Sequence, residues 1–242
     1  MRQQQLSDIE LARMQADALY VHDANGRLVR VNEPDPDDPA PRFFLARTRA
    51  GNLWRTRFDL PAYLTAELER LAADEPVVID LHEPPYHMAE YRGLLEQHAP
   101  ISNIDAGPAY SLPELRGRVQ PAPTIPLVTI AAENATLLQA HYPYTLSRLA
   151  ELGPVVVVVD GGVAVAACYC ARITAQVAEA GVYTVEAYRG RGYAAETVRG
   201  WATGIRATGR LPLYSTSWAN IASQTVATKL GAVQYGADFS IT

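Results

Sequence analysis

Across Thr184-Val185-Glu186-Ala187-Tyr188-Arg189-Gly190-Arg191-Gly192-Tyr193-Ala194-Ala195, a strand pattern ends, two glycines form a loop and a helix pattern begins. Glycine permits positive φ and lets a ligand approach the backbone closely. The first amides of a helix have no intrahelical partner and lie at the positive end of its dipole, so they suit a phosphate or diphosphate. The stretch therefore predicts an anion-binding turn.

Two readings of this loop compete. Arg189 and Arg191 can add charge-assisted bonds to a phosphate, but a tight strand-to-helix turn with glycines for packing has the same pattern. A Walker loop is excluded because no Gly-Lys-Ser/Thr follows. A dinucleotide fold fits poorly because the three-glycine spacing is absent and antiparallel strands are expected to precede the loop.

On both sides of this loop, the second half of the chain alternates between strand and helix patterns. The valine run 155–159 is typical of a strand buried on both faces. Asp160-Gly161-Gly162 predicts a hairpin into the next strand. The expected strands are 127–130, 155–159, 163–173, 181–185, 213–217 and 232–241, and the expected helices are 133–152 (broken by Pro143), 193–208 and 221–230.

The first half is predicted to be a smaller α+β unit. Asn25-Gly26 indicates a hairpin between 19–21 and 27–31. Helices are expected at 7–18 behind Ser7, at 60–73 opened by Asp59 and Pro61, and at 86–98, and strands at 42–47 and 77–81. The proline-rich stretch 99–126 is expected to lack regular elements. We place a domain boundary between 1–122 and 123–242.

A resemblance becomes specific at this point. Arg189-Gly190-Arg191-Gly192-Tyr193-Ala194 matches the Arg/Gln-x-x-Gly-x-Gly/Ala signature of the GNAT superfamily, the general-control-related N-acetyltransferases. The segment 213–231 looks like that superfamily's next strand and helix. The resemblance implies an α+β fold in which 123–242 form a central mixed, mostly antiparallel sheet with flanking helices. As in bacterial two-part members, 1–122 would help to shape the acceptor pocket.

The resemblance also implies how acetyl-CoA binds. The strand carrying 179–185 would splay from the strand at 213–217, and pantetheine would pair with the backbone of Tyr183, Thr184 and Val185. A backbone N–H there would polarise the thioester carbonyl. Arg189, Gly190, Arg191, Gly192, Tyr193, Ala194 and Ala195 would cradle the diphosphate. Asn220 would contact the pantetheine arm, and a plain helix cap is an equally good interpretation.

The catalytic groups are less well defined. Glu179 lies where some superfamily members carry a catalytic glutamate that accepts the amine proton, although an exposed glutamate at a strand end is an alternative. The superfamily's usual tyrosine acid is replaced by Ala227. Tyr214 is our candidate for that acid; Tyr235, a water molecule or unassisted departure of the thiolate are the alternatives.

Composition limits the function classes. A net charge of −5 argues against a general nucleic-acid binder, and the arginines between 42 and 57 are expected on a solvated face. Cys168 and Cys170 are interpreted as buried, reduced thiols, and no metal site is expected. The N-terminal residues show no signal peptide and no apolar run is long enough for a membrane, so we expect a cytoplasmic protein.

The sequence thus favours an N-acetyltransferase that transfers acetyl from acetyl-CoA directly to a primary amine. Two alternatives stay open. One is a non-catalytic acyl-CoA-binding or regulatory module, which the missing tyrosine favours. The other is a protein-lysine acetyltransferase, whose acceptor groove a sequence cannot show. The acceptor and the oligomeric state are not predicted.

Overall fold

The computed structural model describes residues 6–34, 38–114 and 125–242, and divides into two compact units. The first unit contains Met1–Ser111, Ser215–Gln224 and Gln234–Thr242, and the second contains Leu112–Tyr214 and Thr225–Val233. The expected boundary at residues 122 and 123 lies outside the described residues. The last strand belongs to the first unit, so this unit contains more than the N-terminal half of the chain.

Helices and strands follow one another in a mixed α+β order. They are α1 (Asp8–Leu19), β1 (Tyr20–His22), β2 (Leu28–Val31), β3 (Phe43–Thr48), β4 (Gly51–Thr56), α2 (Ala62–Asp74), α3 (Met88–His98), β5 (Ile104–Ser111), β6 (Leu127–Thr129), α4 (Pro143–Ser147), α5 (Leu149–Leu152), β7 (Val156–Asp160), β8 (Val163–Ile173), β9 (Val177–Thr184), α6 (Tyr193–Ala207), β10 (Leu211–Ser215), α7 (Ile221–Lys229) and β11 (Val233–Ile241). Short 3₁₀ turns cover Ala132–Leu138 and Glu186–Tyr188.

The first unit is built on four strands in the order β4-β3-β11-β5. Strand β3 pairs antiparallel with both β4 and β11, and all its residues are buried. Helices α2 and α3 supply the opposite side of the core, where Leu68 and Tyr91 pack with Phe43 and Phe239. The predicted hairpin β1-β2 forms beside this sheet, with Gly26 at φ 76° in its turn.

Local chemistry explains why α1 begins where it does. The Ser7 backbone N–H donates to the Glu10 carboxylate at 2.7 Å, and the Ser7 hydroxyl accepts from the Glu10 amide at 3.4 Å. This reciprocal capping box satisfies two otherwise orphan donors. The serine start predicted from the sequence is therefore confirmed.

Two expectations at α2 and after it are wrong. Asp59 does not cap α2: its carboxylate accepts from the Arg57 guanidinium at 2.7 Å, and the helix begins behind Pro61 without a side-chain cap. The predicted strand 77–81 is a loop, in which Val77 is 56% and Ile79 is 85% exposed. No strand within the described ranges pairs with this segment, and propensity alone does not produce a ladder.

The proline-rich stretch also differs from expectation. Strand β5 forms inside 99–126, and β4 was not predicted. At Gly107 in β5, a Cβ atom would lie 1.7 Å from the Thr216 carbonyl oxygen, so glycine permits a backbone contact that no side chain allows. The arginines are not uniformly solvated either, because Arg42 and Arg47 are each 3% exposed.

The second unit contains five of the six strands predicted for the C-terminal half, in the order β10-β9-β8-β7-β6. Strands β10 and β9 are parallel, and the other three pairs are antiparallel. Helix α6 packs on β7, β8 and β9 and buries Trp201 completely. Cys168 and Cys170 are buried and free, as expected. The stretch 133–152, expected to be helical and broken at Pro143, forms the 3₁₀ turn Ala132–Leu138 and the short helices α4 and α5, with α4 beginning at Pro143.

Candidate functional site

The glycine loop before α6 is open. Gly190 has φ 78° and Gly192 has φ 85°, a region that side-chain-bearing residues rarely adopt. A Cβ atom built on either glycine meets nothing within 4 Å. The backbone conformation, not crowding, therefore requires glycine, and space for a ligand remains in front of the turn.

The N-terminus of α6 provides amide donors at this turn. Gly192 is the N-cap residue and has no side chain that could bond the amides of Tyr193, Ala194 and Ala195. The helical ladder begins only at Glu196, whose N–H donates to the Gly192 carbonyl at 3.3 Å. These three amides point along the positive end of a helix of 15 residues, the arrangement that favours a bound anion.

The two loop arginines are exposed and held by local contacts. Arg189 donates through Nε to the Thr184 carbonyl at 3.2 Å, and its guanidinium lies 5.8 Å from the centroid of the Tyr183 ring. Arg191 donates to the Ala187 carbonyl at 3.1 Å, and its guanidinium lies 4.9 Å from the Tyr188 ring centroid. Both charges therefore remain beside the loop.

Strands β9 and β10 separate just before the loop. Their parallel ladder pairs Val177 with Leu211, Ala178 with Pro212 and Glu179 with Leu213, and stops there. Strand β9 continues to Thr184, paired with β8 alone among the strands of this unit. Beyond Glu179, its other edge is therefore not paired with a strand of this unit, and an extended ligand can add to such an edge as a strand does.

The direction of the backbone N–H and C=O groups alternates along β9, and this decides which residues can bond a ligand at that edge. The Val185 amide donates to the Val165 carbonyl on the β8 side at 2.9 Å, and the Val185 carbonyl accepts from Tyr188. Backbone groups two residues apart point the same way, so Tyr183 also faces β8, while Val182 and Thr184 face away from it. Of the three predicted pantetheine contacts, Thr184 has this geometry, and Val182 joins it.

Sequence reasoning also missed Tyr142. Its hydroxyl donates to the Tyr183 carbonyl at 3.0 Å, and the side chain is 5% exposed. Burial raises the pKa of Tyr142 well above its usual range, so the phenol stays protonated and remains a donor. This contact ties the segment before α4 to β9.

The catalytic candidates of the second unit are buried. Glu179 is 2% exposed and lies in β9 between Arg172 of β8 and Leu213 of β10, which removes the exposed strand-end alternative. Tyr214 follows Leu213 and is 1% exposed. Ala227, at the position of the superfamily's tyrosine, is equally buried.

The remaining candidates belong to the first unit. The Asn220 carboxamide oxygen accepts from the Ser223 amide at 3.0 Å, so Asn220 caps α7. The Tyr235 hydroxyl donates to the buried Gln15 carboxamide oxygen at 2.7 Å, an internal bond that makes it a poor proton donor to a ligand. Across the described parts of the chain, no cluster of three metal-ligating side chains is found, and no helix there is long and apolar enough to span a membrane.

Comparison with known proteins gives fold-level similarity. No family model and no curated protein matches the chain. Among solved structures, a GNAT-family acetyltransferase from Colwellia psychrerythraea is 15% identical, with TM-score 0.47 over 99% of this chain and 98% of that chain. A GCN5-related N-acetyltransferase-like protein from Streptococcus suis is also 15% identical, with TM-score 0.48 over 87% of each chain. A GCN5-related N-acetyltransferase from Sphaerobacter thermophilus is 16% identical, with TM-score 0.44 over 85% and 77%. All three TM-scores lie below 0.5, so each is a loose likeness of overall fold.

Proposed function

We propose that the chain transfers the acetyl group of acetyl-CoA to a primary amine. One observation carries the proposal: the open glycine turn at the start of α6 adjoins the unpaired edge of β9. The first feature suits a diphosphate and the second suits the extended pantetheine arm. A thioester carrier built from both groups fits the two features together.

The described residues offer specific contacts to this carrier. The amides of Tyr193, Ala194 and Ala195 would bind the diphosphate, with the Arg189 and Arg191 guanidiniums beside them. The backbone of Val182 and Thr184 would pair with pantetheine. The Thr184 hydroxyl oxygen is buried and has no hydrogen-bond partner among the described residues.

In the proposed chemistry, an N–H on the unpaired edge of β9 bonds the thioester carbonyl oxygen and stabilises the negative charge that develops there. The amine nitrogen attacks the carbonyl carbon and passes one proton to Glu179. The C–S bond then breaks, and the departing thiolate takes a proton from Tyr214 or from water. Glu179 is suited to the role of base because its position between β8 and β10 keeps it from bulk water.

A second candidate function is a non-catalytic acyl-CoA-binding module. Ala227 favours it, because a buried alanine stands where the superfamily's proton donor would be. Both functions need coenzyme A binding, and only the first releases thiol when an amine is present. A thiol-release screen with acetyl-CoA against amino acids, polyamines, aminoglycosides and peptides separates them.

Glu179→Gln is the sharpest variant for this screen. We expect a loss of roughly 100-fold or more in kcat, because removing a positioned base typically costs that much, while calorimetry shows unchanged coenzyme A affinity. Full activity in Glu179→Gln would exclude Glu179 as the base. Absence of binding heat with both acetyl-CoA and coenzyme A on folded protein would overturn the proposed function itself.

A further inference from the structure

Arg189 occupies a backbone acceptor on the unpaired edge of β9. Its Nε donates to the Thr184 carbonyl at 3.2 Å, and Thr184 is one of the two residues whose backbone faces away from β8. The guanidinium also lies 5.8 Å from the centroid of the Tyr183 ring, which is 47% exposed. A charged side chain therefore covers the end of the edge at which a strand-like ligand would pair.

Two parts of a thioester carrier compete for these groups. An amide N–H of pantetheine needs the Thr184 carbonyl as its ladder partner, and must displace the arginine donor or share the oxygen with it. A diphosphate instead attracts the guanidinium itself, since arginine pairs with phosphate through charge-assisted bonds stronger than those to a neutral carbonyl. Only a carrier with both parts pairs with the Thr184 carbonyl and also gives the Arg189 guanidinium a new partner in place of that carbonyl.

We propose that Arg189 is a specificity-determining latch, which makes the site select diphosphate-bearing thioesters of the coenzyme A class over short pantetheine thioesters. The inference rests on the proposed function. Binding of the diphosphate draws Arg189 from the Thr184 carbonyl and so frees the acceptor that the pantetheine arm uses. A pantetheine without diphosphate has to displace Arg189 and offers it no new partner.

Arg191 provides a matched comparison within the same loop. Arg191 lies two residues nearer in sequence to the proposed diphosphate amides, but its guanidinium donates to the Ala187 carbonyl and lies over Tyr188. Ala187 belongs to the 3₁₀ turn after β9, outside the edge that would pair with pantetheine. Arg191 therefore shares the charge of Arg189 without covering Thr184.

The test measures dissociation constants for coenzyme A and for pantetheine, by calorimetry for the first and by NMR chemical-shift titration for the second. Arg189→Ala and Arg191→Ala should each weaken coenzyme A binding by about three- to tenfold, the range for one exposed hydrogen bond. Arg189→Ala should also tighten pantetheine binding by about the same factor, whereas Arg191→Ala should leave it unchanged. Arg189→Gln, which is neutral and shorter, should repeat the gain.

The outcomes separate the two proposals. If the unaltered chain binds no coenzyme A, the proposed function fails. If it binds coenzyme A but Arg189→Ala and Arg189→Gln leave pantetheine affinity equal or weaker, the latch is overturned and the proposed function stands. Because the Arg189 side chain is exposed, both variants should keep the thermal melting profile of the original chain, which verifies that affinity and not folding has changed.

Discussion

Gly190 shows how a single residue fixes the geometry of the loop. Its φ of 78° is matched by Gly26, at 76° in the β1-β2 turn, and a Cβ atom on either one meets open space. The two glycines thus differ in location and not in conformation or crowding. Comparing substitutions at the two glycines therefore separates the energetic cost of a side chain in the left-handed region from an effect on ligand binding.

We predict that Gly190→Ala and Gly26→Ala each lower the free energy of unfolding by about 1 kcal/mol, the typical cost of a left-handed alanine. Only Gly190→Ala should weaken coenzyme A binding, because the strain turns the loop amides away from the diphosphate. Chemical denaturation and calorimetry measure the two effects. Equal coenzyme A affinity in both variants would argue against the loop as the diphosphate site.

Elements whose signals are local were predicted well from the sequence. The capping serine, the Asn25-Gly26 turn and the valine run each determine an element through neighbouring residues. The loop at 77–81 and strand β5 were mispredicted because their outcome depends on distant partners. The first finds no neighbouring strand, and the second, despite Pro108, lies beside β11.

The same distinction between local and distant signals applies to the residues of the candidate site. The glycine loop is contiguous, so its motif is visible in the sequence. Tyr142 is not, because its hydroxyl meets the Tyr183 carbonyl across 41 positions. The direction of the Val182 and Thr184 backbone also escapes the sequence, since it depends on which β9 residues form the hydrogen-bonded pairs with β8.

The C-terminus of α3 is bonded by the side chain of Arg42, which lies just before β3. The Arg42 guanidinium donates to the carbonyls of Leu95 and Ala99, each at 2.9 Å, and to those of Pro100 and Thr242. The side chain is 3% exposed, and burial lowers the pKa of Arg42. One buried cation therefore bonds carbonyls at the C-terminus of α3 and in the chain beyond it.

We predict that Arg42→Met lowers the free energy of unfolding by about 3 kcal/mol, because four hydrogen bonds from one buried guanidinium are lost together. Arg92→Met, which removes only an exposed pair with Glu96, should cost less than about 0.5 kcal/mol. Urea denaturation of both variants measures the difference. Equal costs would show that water replaces Arg42 without penalty.

At the scale of the whole molecule, stability should depend on pH through His22. Burial lowers the pKa of His22, and Arg55 adds to the shift while Asp17 and Asp23 oppose it. In the unfolded chain the imidazole takes a proton near its ordinary pKa of about 6.5, before the folded chain does. The contribution of the neutral His22 side chain to the free energy of unfolding is therefore complete above that pH. It is lost as the pH falls through the lowered pKa that His22 has in the folded chain.

We predict that the free energy of unfolding falls as the pH decreases below about 6.5, and that His22→Gln removes part of this fall. His141→Gln, the same substitution at an exposed position, is the matched control. Denaturant titrations at a series of pH values measure the slopes. Parallel curves for His22→Gln and the unaltered chain would exclude His22 as the source.

The position of β11 has a consequence for biosynthesis. This strand, Val233–Ile241, lies between β3 and β5 in the first unit. While a ribosome is still adding those residues, β3 and β5 have each emerged without the partner that joins them. The strand order β3-β11-β5 can therefore be completed only after residues 233–241 have been synthesised.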